Sequence, residues 1–170
     1  MIVLGSTSSS DLDTLGALQP VYGGGRSDVF VARVDISAPK LTYLAYIGGG
    51  GTDRPRKLVV DRTGRALVVG QTTSPDFPVT HDERTGLSAE DNGFAIMLDP
   101  MGTTLLYSLL SGGTSTDTFE GAAIGSDGSL TISGASDSVD FPTVAPMQDE
   151  FLGGRFDIVV VRILLGLSTL

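Results

Sequence analysis

Few side chains in this 170-residue sequence have the types and neighbours that a reaction would use. His81 is the sole imidazole, and it sits in the polar run Thr80-His81-Asp82-Glu83-Arg84, where a solvated side chain is the default. A Ser-His-Asp triad also needs its nucleophile on a constrained turn, and no Gly-x-Ser-x-Gly occurs. The absence of cysteine excludes a disulfide scaffold, thiol catalysis and a thiolate zinc site. Gly48-Gly-Gly-Gly-Thr-Asp53 has the glycine content of a phosphate-binding loop, but no Gly-Lys-Ser/Thr follows it and no helix is predicted after it. No catalytic, cofactor-binding or metal-ligating set is assigned, and no cofactor or enzymatic activity is expected.

The aspartates carry more information. Asp53 and Asp117 each close a Gly-rich, Thr-containing loop, and Ca²⁺ takes roughly six to eight oxygens, some of which such a pair supplies. No Asp-x-Asp-x-Asp-Gly spacing occurs, however, so the favoured reading is structural: each carboxylate accepts backbone N–H bonds and fixes a turn. Whether they also hold calcium stays open. Asp11, Asp76 and Asp140 read as turn formers too, with Phe77 and Phe141 anchoring the adjoining loops.

Charge and composition bound the partners. Eleven Lys+Arg against 20 Asp+Glu leave a formal charge of -9, and only Lys40 and Lys57 are lysines. Nucleic acid is excluded, because release of phosphate counterions needs a clustered basic surface. A 41% hydrophobic content with mean hydropathy of +0.20 supplies a real core, while 23 glycines, few aromatics and no Trp point to a turn-rich all-β chain. The longest apolar stretch, residues 158–167, is broken by Arg162 and Gly166 and falls short of the roughly 20 residues of a spanning helix. Residues 1–5 have none of the marks of a signal peptide, and a start inside a repeat suggests a piece of something longer.

That repeat positions everything else. Gly5, Gly70 and Gly134 are 65 and 64 apart, and Asp11-Leu, Asp76-Phe-Pro and Asp140-Phe-Pro keep the spacing. Val29-Phe-Val-Ala-Arg-Val-Asp35 recurs as Gly93-Phe-Ala-Ile-Met-Leu-Asp99 and as Ile158-Val-Val-Val-Arg-Ile163. Leu41-Thr-Tyr with Gly48-Gly49 and Asp53 recurs as Leu105-Leu-Tyr with Gly112-Gly113 and Asp117. Each full period contains four short runs rich in Val, Ile, Leu and Phe, too short for globular helices, and these read as strands. Gly64, Gly102 and Gly128 sit between runs where a hairpin needs a positive φ. Nearly continuous runs such as Ile-Val-Val-Val imply that both faces of each strand are covered. The hairpin turns also speak against a parallel β-solenoid.

Antiparallel four-stranded sheets covered on both faces describe propeller blades. The pattern Val-x-Gly-x-Thr-x-Ser-x-Asp-Phe-Pro, then Gly-Gly-x-x-Asp-x-Phe-Val-Ala-Arg-Val, then Leu-x-Tyr-x-x-x-x-Gly-Gly-x-x-x-Asp resembles the bacterial SBBP-type β-propeller repeat over essentially the whole chain. What the resemblance implies is a module of a large, exported or cell-surface bacterial protein. The chain then reads as one propeller fragment, 1–170: three strands of a blade over 1–52, a complete blade over 53–116 and three strands of another over 117–170. A closed ring takes about 4 to 8 blades, so an arc of about three blades and ten strands is expected. Its function is read as a non-catalytic scaffold, adhesion or protein-interaction unit, partnered by further blades or by self-association. The alternative is a carbohydrate- or ligand-binding face, Ca²⁺-assisted, but Tyr22 is the one obvious stacking residue in the long loops. Arg26 and Arg155 share a repeat position where Glu90 stands in the second copy, which leaves open a salt bridge between blades or a solvated rim. Val34, Leu98 and Ile163, in one register, are expected to be buried between blades.

Overall fold

The computed structural model describes residues 1–80, 84–85, 91–148 and 150–165, and these form strands and turns with no helix. Three sheets are present. The first holds β1 (Ile2–Thr7), β2 (Asp28–Asp35) and β3 (Lys40–Ile47) in that order. In the second, β4 (Asp53–Val60), β5 (Ala66–Thr72), β7 (Asn92–Leu98) and β8 (Leu105–Ser111) follow one another antiparallel, and the two-residue β6 (Arg84–Thr85) lies parallel to β8 on its outer edge. The third is β9 (Asp117–Ile124), β10 (Leu130–Ser136) and β11 (Asp157–Ile163). The architecture is all-β, with blades as the sequence led one to expect.

Local chemistry explains the hairpins. Gly64, Gly102 and Gly128 take φ of 89°, 68° and 81°, a region that L side chains avoid, and each donates its N–H three residues back. Gly102 is doubly constrained, because a Cβ there would lie 2.5 Å from the ring of Tyr43 in the preceding blade. The repeated glycine of the second strand has a different cause. At Gly70 a Cβ would fall 2.1 Å from the Arg54 carbonyl oxygen and 2.7 Å from the Phe94 ring. Both first-to-second strand pairs are bulged beside this glycine, so that Arg56 in β4 and Glu120 in β9 have no partner in register.

The blades stack face to face through two apolar layers. Every residue of β5 and β7 is buried. Val68, Phe94, Ile96 and Leu98 join Val29, Val31 and Tyr43 in the layer between the first and second blades. The alternate residues Leu67, Val69, Ala95 and Met97 join Phe119, Leu130 and Ile132 in the layer between the second and third. Strand alternation of period two thus feeds both layers, which is why the runs read as continuously apolar. The first strands β4 and β9 pack on each other, whereas the last strands β3 and β8 do not, so the sheets fan out from their first strands.

The terminal blades depart from continuous burial. In β11, Val159, Val161 and Ile163 pack inward, but Ile158 and Val160 are 85% and 65% exposed. Leu98 is wholly buried while its register mates Val34 and Ile163 are only half-buried, a correction to the expectation of equal burial. The reason is positional: no sheet lies beyond either end among the described residues. The long loops also differ. In the first blade the loop runs along β3, with reciprocal Leu15–Leu44 backbone bonds of 3.3 and 3.2 Å and a Tyr46 N–H bond to the Gln19 carbonyl at 3.1 Å. In the second, the Ser108 hydroxyl donates to the Pro78 carbonyl at 2.8 Å. In the third no outer strand awaits the loop, and Val144 and Met147 are fully exposed. Whether Thr80–Arg84 makes the second loop the most solvated lies outside the described residues, as do residues 166–170.

Leu98→Ala should cost about 2 to 5 kcal/mol, since it empties a site covered on both sides, and Ile163→Ala should cost less. Equilibrium denaturation of the two variants checks this ordering.

Candidate functional site

The chain crosses from one blade to the next in two glycine turns, residues 48–52 and 112–116, and the repeated polar residues converge there. Asp53, the first residue of β4, is wholly buried. Its carboxylate accepts the N–H of Gly49 at 3.0 Å, the Ser74 hydroxyl at 2.9 Å and the Thr72 hydroxyl, the last two from the end of β5. Ser74 in turn accepts the Gly51 N–H at 2.9 Å, Thr73 Oγ1 accepts Thr52 N–H at 2.8 Å, and Asp76 accepts Gly50 N–H at 2.7 Å. Every N–H from Gly49 to Thr52 therefore meets a side-chain oxygen of the segment that follows β5. Asp117 repeats the arrangement, with Gly113 N–H at 2.6 Å and the Ser138 hydroxyl at 2.9 Å, and Asp140 accepts Thr114 N–H at 2.8 Å.

This clasp also grips the preceding blade. Asp53 N–H donates to the Ser27 carbonyl and Asp117 N–H to that of Asp91, both at 2.7 Å. Phe77 and Phe141 then carry the loop back to the core: Phe77 is wholly buried with its ring centroid 4.7 Å from that of Phe94, and Phe141 packs half-buried on the second apolar layer. Asp76 and Asp140 thus do more than form local turns. Asp11, whose blade has no first strand among the described residues, stays exposed.

Burial raises the Asp53 carboxyl above its ordinary range against the pull of the Thr72, Gly49 and Ser74 donors, and burial raises Asp117 likewise against Ser136, Gly113 and Ser138. Each is a carboxylate held in a donor cage, a geometry that fixes backbone. Among the described residues no three acidic or histidine side chains gather as a metal set.

The least satisfied group was not singled out from the sequence. Asp28, wholly buried at the start of β2, accepts Gly23 N–H at 2.6 Å through Oδ2, while its Oδ1 has no partner. A Cβ on Gly48 would lie 2.5 Å from Asp53 Oδ2 and 2.9 Å from Asp28 Oδ1, so the two carboxylates flank one glycine. Burial first, then the charges of Asp53 and Asp76, push Asp28 up to about 6 against the Gly23 hydrogen bond. The recurrence of Asp28, Asn92 and Asp157 at the heads of β2, β7 and β11 was the available signal.

The other candidates scatter. His81 and Glu90 lie outside the described residues. Arg155 stands 5.3 Å over the Phe156 ring, a contact within its own loop rather than a bridge between blades. Tyr22 turns edge-on to Tyr46 at 5.8 Å and donates its hydroxyl to the Gly25 carbonyl, which occupies it internally.

The segment that holds the first clasp runs from Thr42 in β3 through the crossover, β4 and β5 to Pro78. Residues 42–78 match the SBBP beta-propeller repeat family. The SBBP match thus begins in one blade and ends in the next, with both halves of the clasp inside it, and it makes the chain a β-propeller repeat module. No curated protein matches the chain.

Asp28 carries a pH signature of known sign. Its folded-state pKa near 6 lies above the ordinary 3.8, so the folded chain binds the extra proton and stability falls as pH rises between those values. Asp28→Asn, which copies Asn92, should raise the unfolding free energy above pH 6 by on the order of 1 to 3 kcal/mol and have no such effect near pH 4. Thermal unfolding of both proteins across that range is the check.

Proposed function

We propose that the chain is a non-catalytic propeller module of a larger exported or cell-surface bacterial protein, acting as a scaffold, adhesion or protein-interaction unit that docks further blades or another copy of itself. The observation that carries this reading is the outward face of β11. Ile158 and Val160 stand exposed at the repeat positions where Val29 and Val31 of the first blade are wholly buried against the second. A face built for burial and left open favours a covering blade. The edge of β11 supports the same conclusion, because its N–H and C=O groups have no strand beyond them among the described residues. The opposite end offers the matching surface, Phe30 and Val34 of β2, which occupy the register of Phe94 and Leu98 in the layer between the first two blades. A second copy seated there makes a head-to-tail contact, which closes into a ring or extends as an array.

Extracellular placement rests on the family resemblance, and absence of catalysis on the donor-caged carboxylates. The net charge of -9 opposes association, but screening beyond about 8 Å at physiological salt weakens the repulsion.

The isolated chain should self-associate at tens of micromolar in physiological salt, and Val160→Asp, on an exposed position, should return it to monomer without loss of β structure. Size exclusion with light scattering decides the docking claim: a stable wild-type monomer overturns it. Recovery of the parent protein from the cytosolic fraction, or turnover in a hydrolase substrate panel, overturns the corresponding part of the proposal.

A further inference from the structure

A second surface lies at the first blade junction and owes nothing to blade docking. The end of β1, the loop before β2 and the start of β4 enclose an open cleft of about 370 Å³. Two guanidiniums, Arg26 and Arg54, and five hydroxyls, among them Ser6, Thr7 and Ser27, line it. We propose that this cleft binds the oxyanion group of an acidic ligand, a sulfate, phosphate or carboxylate held between Arg26 and Arg54.

The two arginines are available for it. Arg26 is exposed, its backbone N–H tied to the Gly51 carbonyl at 3.0 Å, and its side chain has no ion-pair or hydrogen-bond partner among the described residues. Arg54 reaches Asp91 at 3.5 Å with its side chain 45% exposed, a loose pair that leaves guanidinium N–H groups unused. The walls that carry them are stitched together by the parallel Ser27–Thr52 bridge, so the two charges start from a fixed base. A planar guanidinium presents paired donors that match two oxygens of such an anion, and flanking hydroxyls supply further donors.

The fold does not ask for this charge. At the repeat positions of Arg26 and Arg54 the second copy has Glu90 and Thr118, and Ser27 is replaced by Asp91. The next strand positions reinforce the contrast: Arg56 and Lys57 follow Arg54 in β4, where β9 has Glu120 and Gly121. A chain with 11 basic residues against 20 acidic ones has thus gathered cations on one strand and its neighbouring loop. The acidic remainder repels extended polyanions but is screened from a small group already in the cleft. With Tyr22 turned onto Tyr46, recognition here is by charge and hydroxyl donors, with no aromatic platform.

The test is titration of the whole chain with sodium sulfate, sodium phosphate and sodium glucuronate at constant ionic strength, read by amide chemical shifts and calorimetry. Saturable binding of at least one anion is expected, with shifts at Ser6, Thr7, Ser27 and Thr52. Arg26→Ala should weaken it about tenfold or more, the loss of one charge-assisted contact, while Arg155→Ala, at the same repeat position in the third copy, should leave it unchanged. Arg54→Ala should weaken it as well, and if that variant unfolds, Arg26→Ala, at an unpaired exposed site, still decides. Linear, non-saturating shifts for all three anions, or affinity retained in Arg26→Ala, overturn the proposal. Because an anion titrates monomer and assembly alike, failure of blade docking would not imitate this result.

Discussion

A buried carboxylate with no basic partner is costly unless hydrogen-bond donors surround it, and this constraint organises the molecule. Asp53 satisfies it with two hydroxyls and a backbone N–H. The N–H belongs to the crossover turn and the hydroxyls to the next long loop, so meeting the needs of one side chain ties three segments together. Asp117 does the same one period later. Apolar burial supplies the bulk of the driving force between blades, but it is non-directional. The clasp gives each junction its register, because the glycine turn has no other partners for its backbone donors.

The architecture was largely legible in the amino-acid sequence, for a reason that particular residues make clear. Strand alternation in Val-Phe-Val-Ala and Gly-Phe-Ala-Ile-Met-Leu sends successive residues to opposite apolar layers, and repetition shows such runs in three contexts. Gly64, Gly102 and Gly128 announce hairpins because few other residues accept their φ. The aspartates of the crossover could be read as turn-fixing, since a carboxylate beside consecutive glycines has backbone N–H groups within reach.

What the sequence hid depends on long-range neighbours. Ser74 and Thr72 look like ordinary loop residues until the fold brings them under Asp53, 21 and 19 positions away. Asp28 gave no local sign of burial without a second partner; only Gly48, 20 residues on, sets it beside another carboxylate. Unequal burial of Val34, Leu98 and Ile163 follows from their places at the ends or middle of the arc, which identical repeat registers cannot express. The arginine cleft escaped for the opposite reason: Arg26 and Arg54 belong to different blades, and a comparison of repeats treats each position as an average.

The bulges in the first strands have a consequence of another kind. Arg56 and Glu120 occupy one position in successive blades, and neither has a partner in register with the second strand. Opposite charges are therefore interchangeable there, because no ladder contact depends on which residue is present. In a longer array every blade would present one such unconstrained side chain from its first strand, where neighbouring blades approach each other most closely. The lining of that convergent region becomes a row of independent letters, rewritable one at a time, while the frame that holds them stays the same.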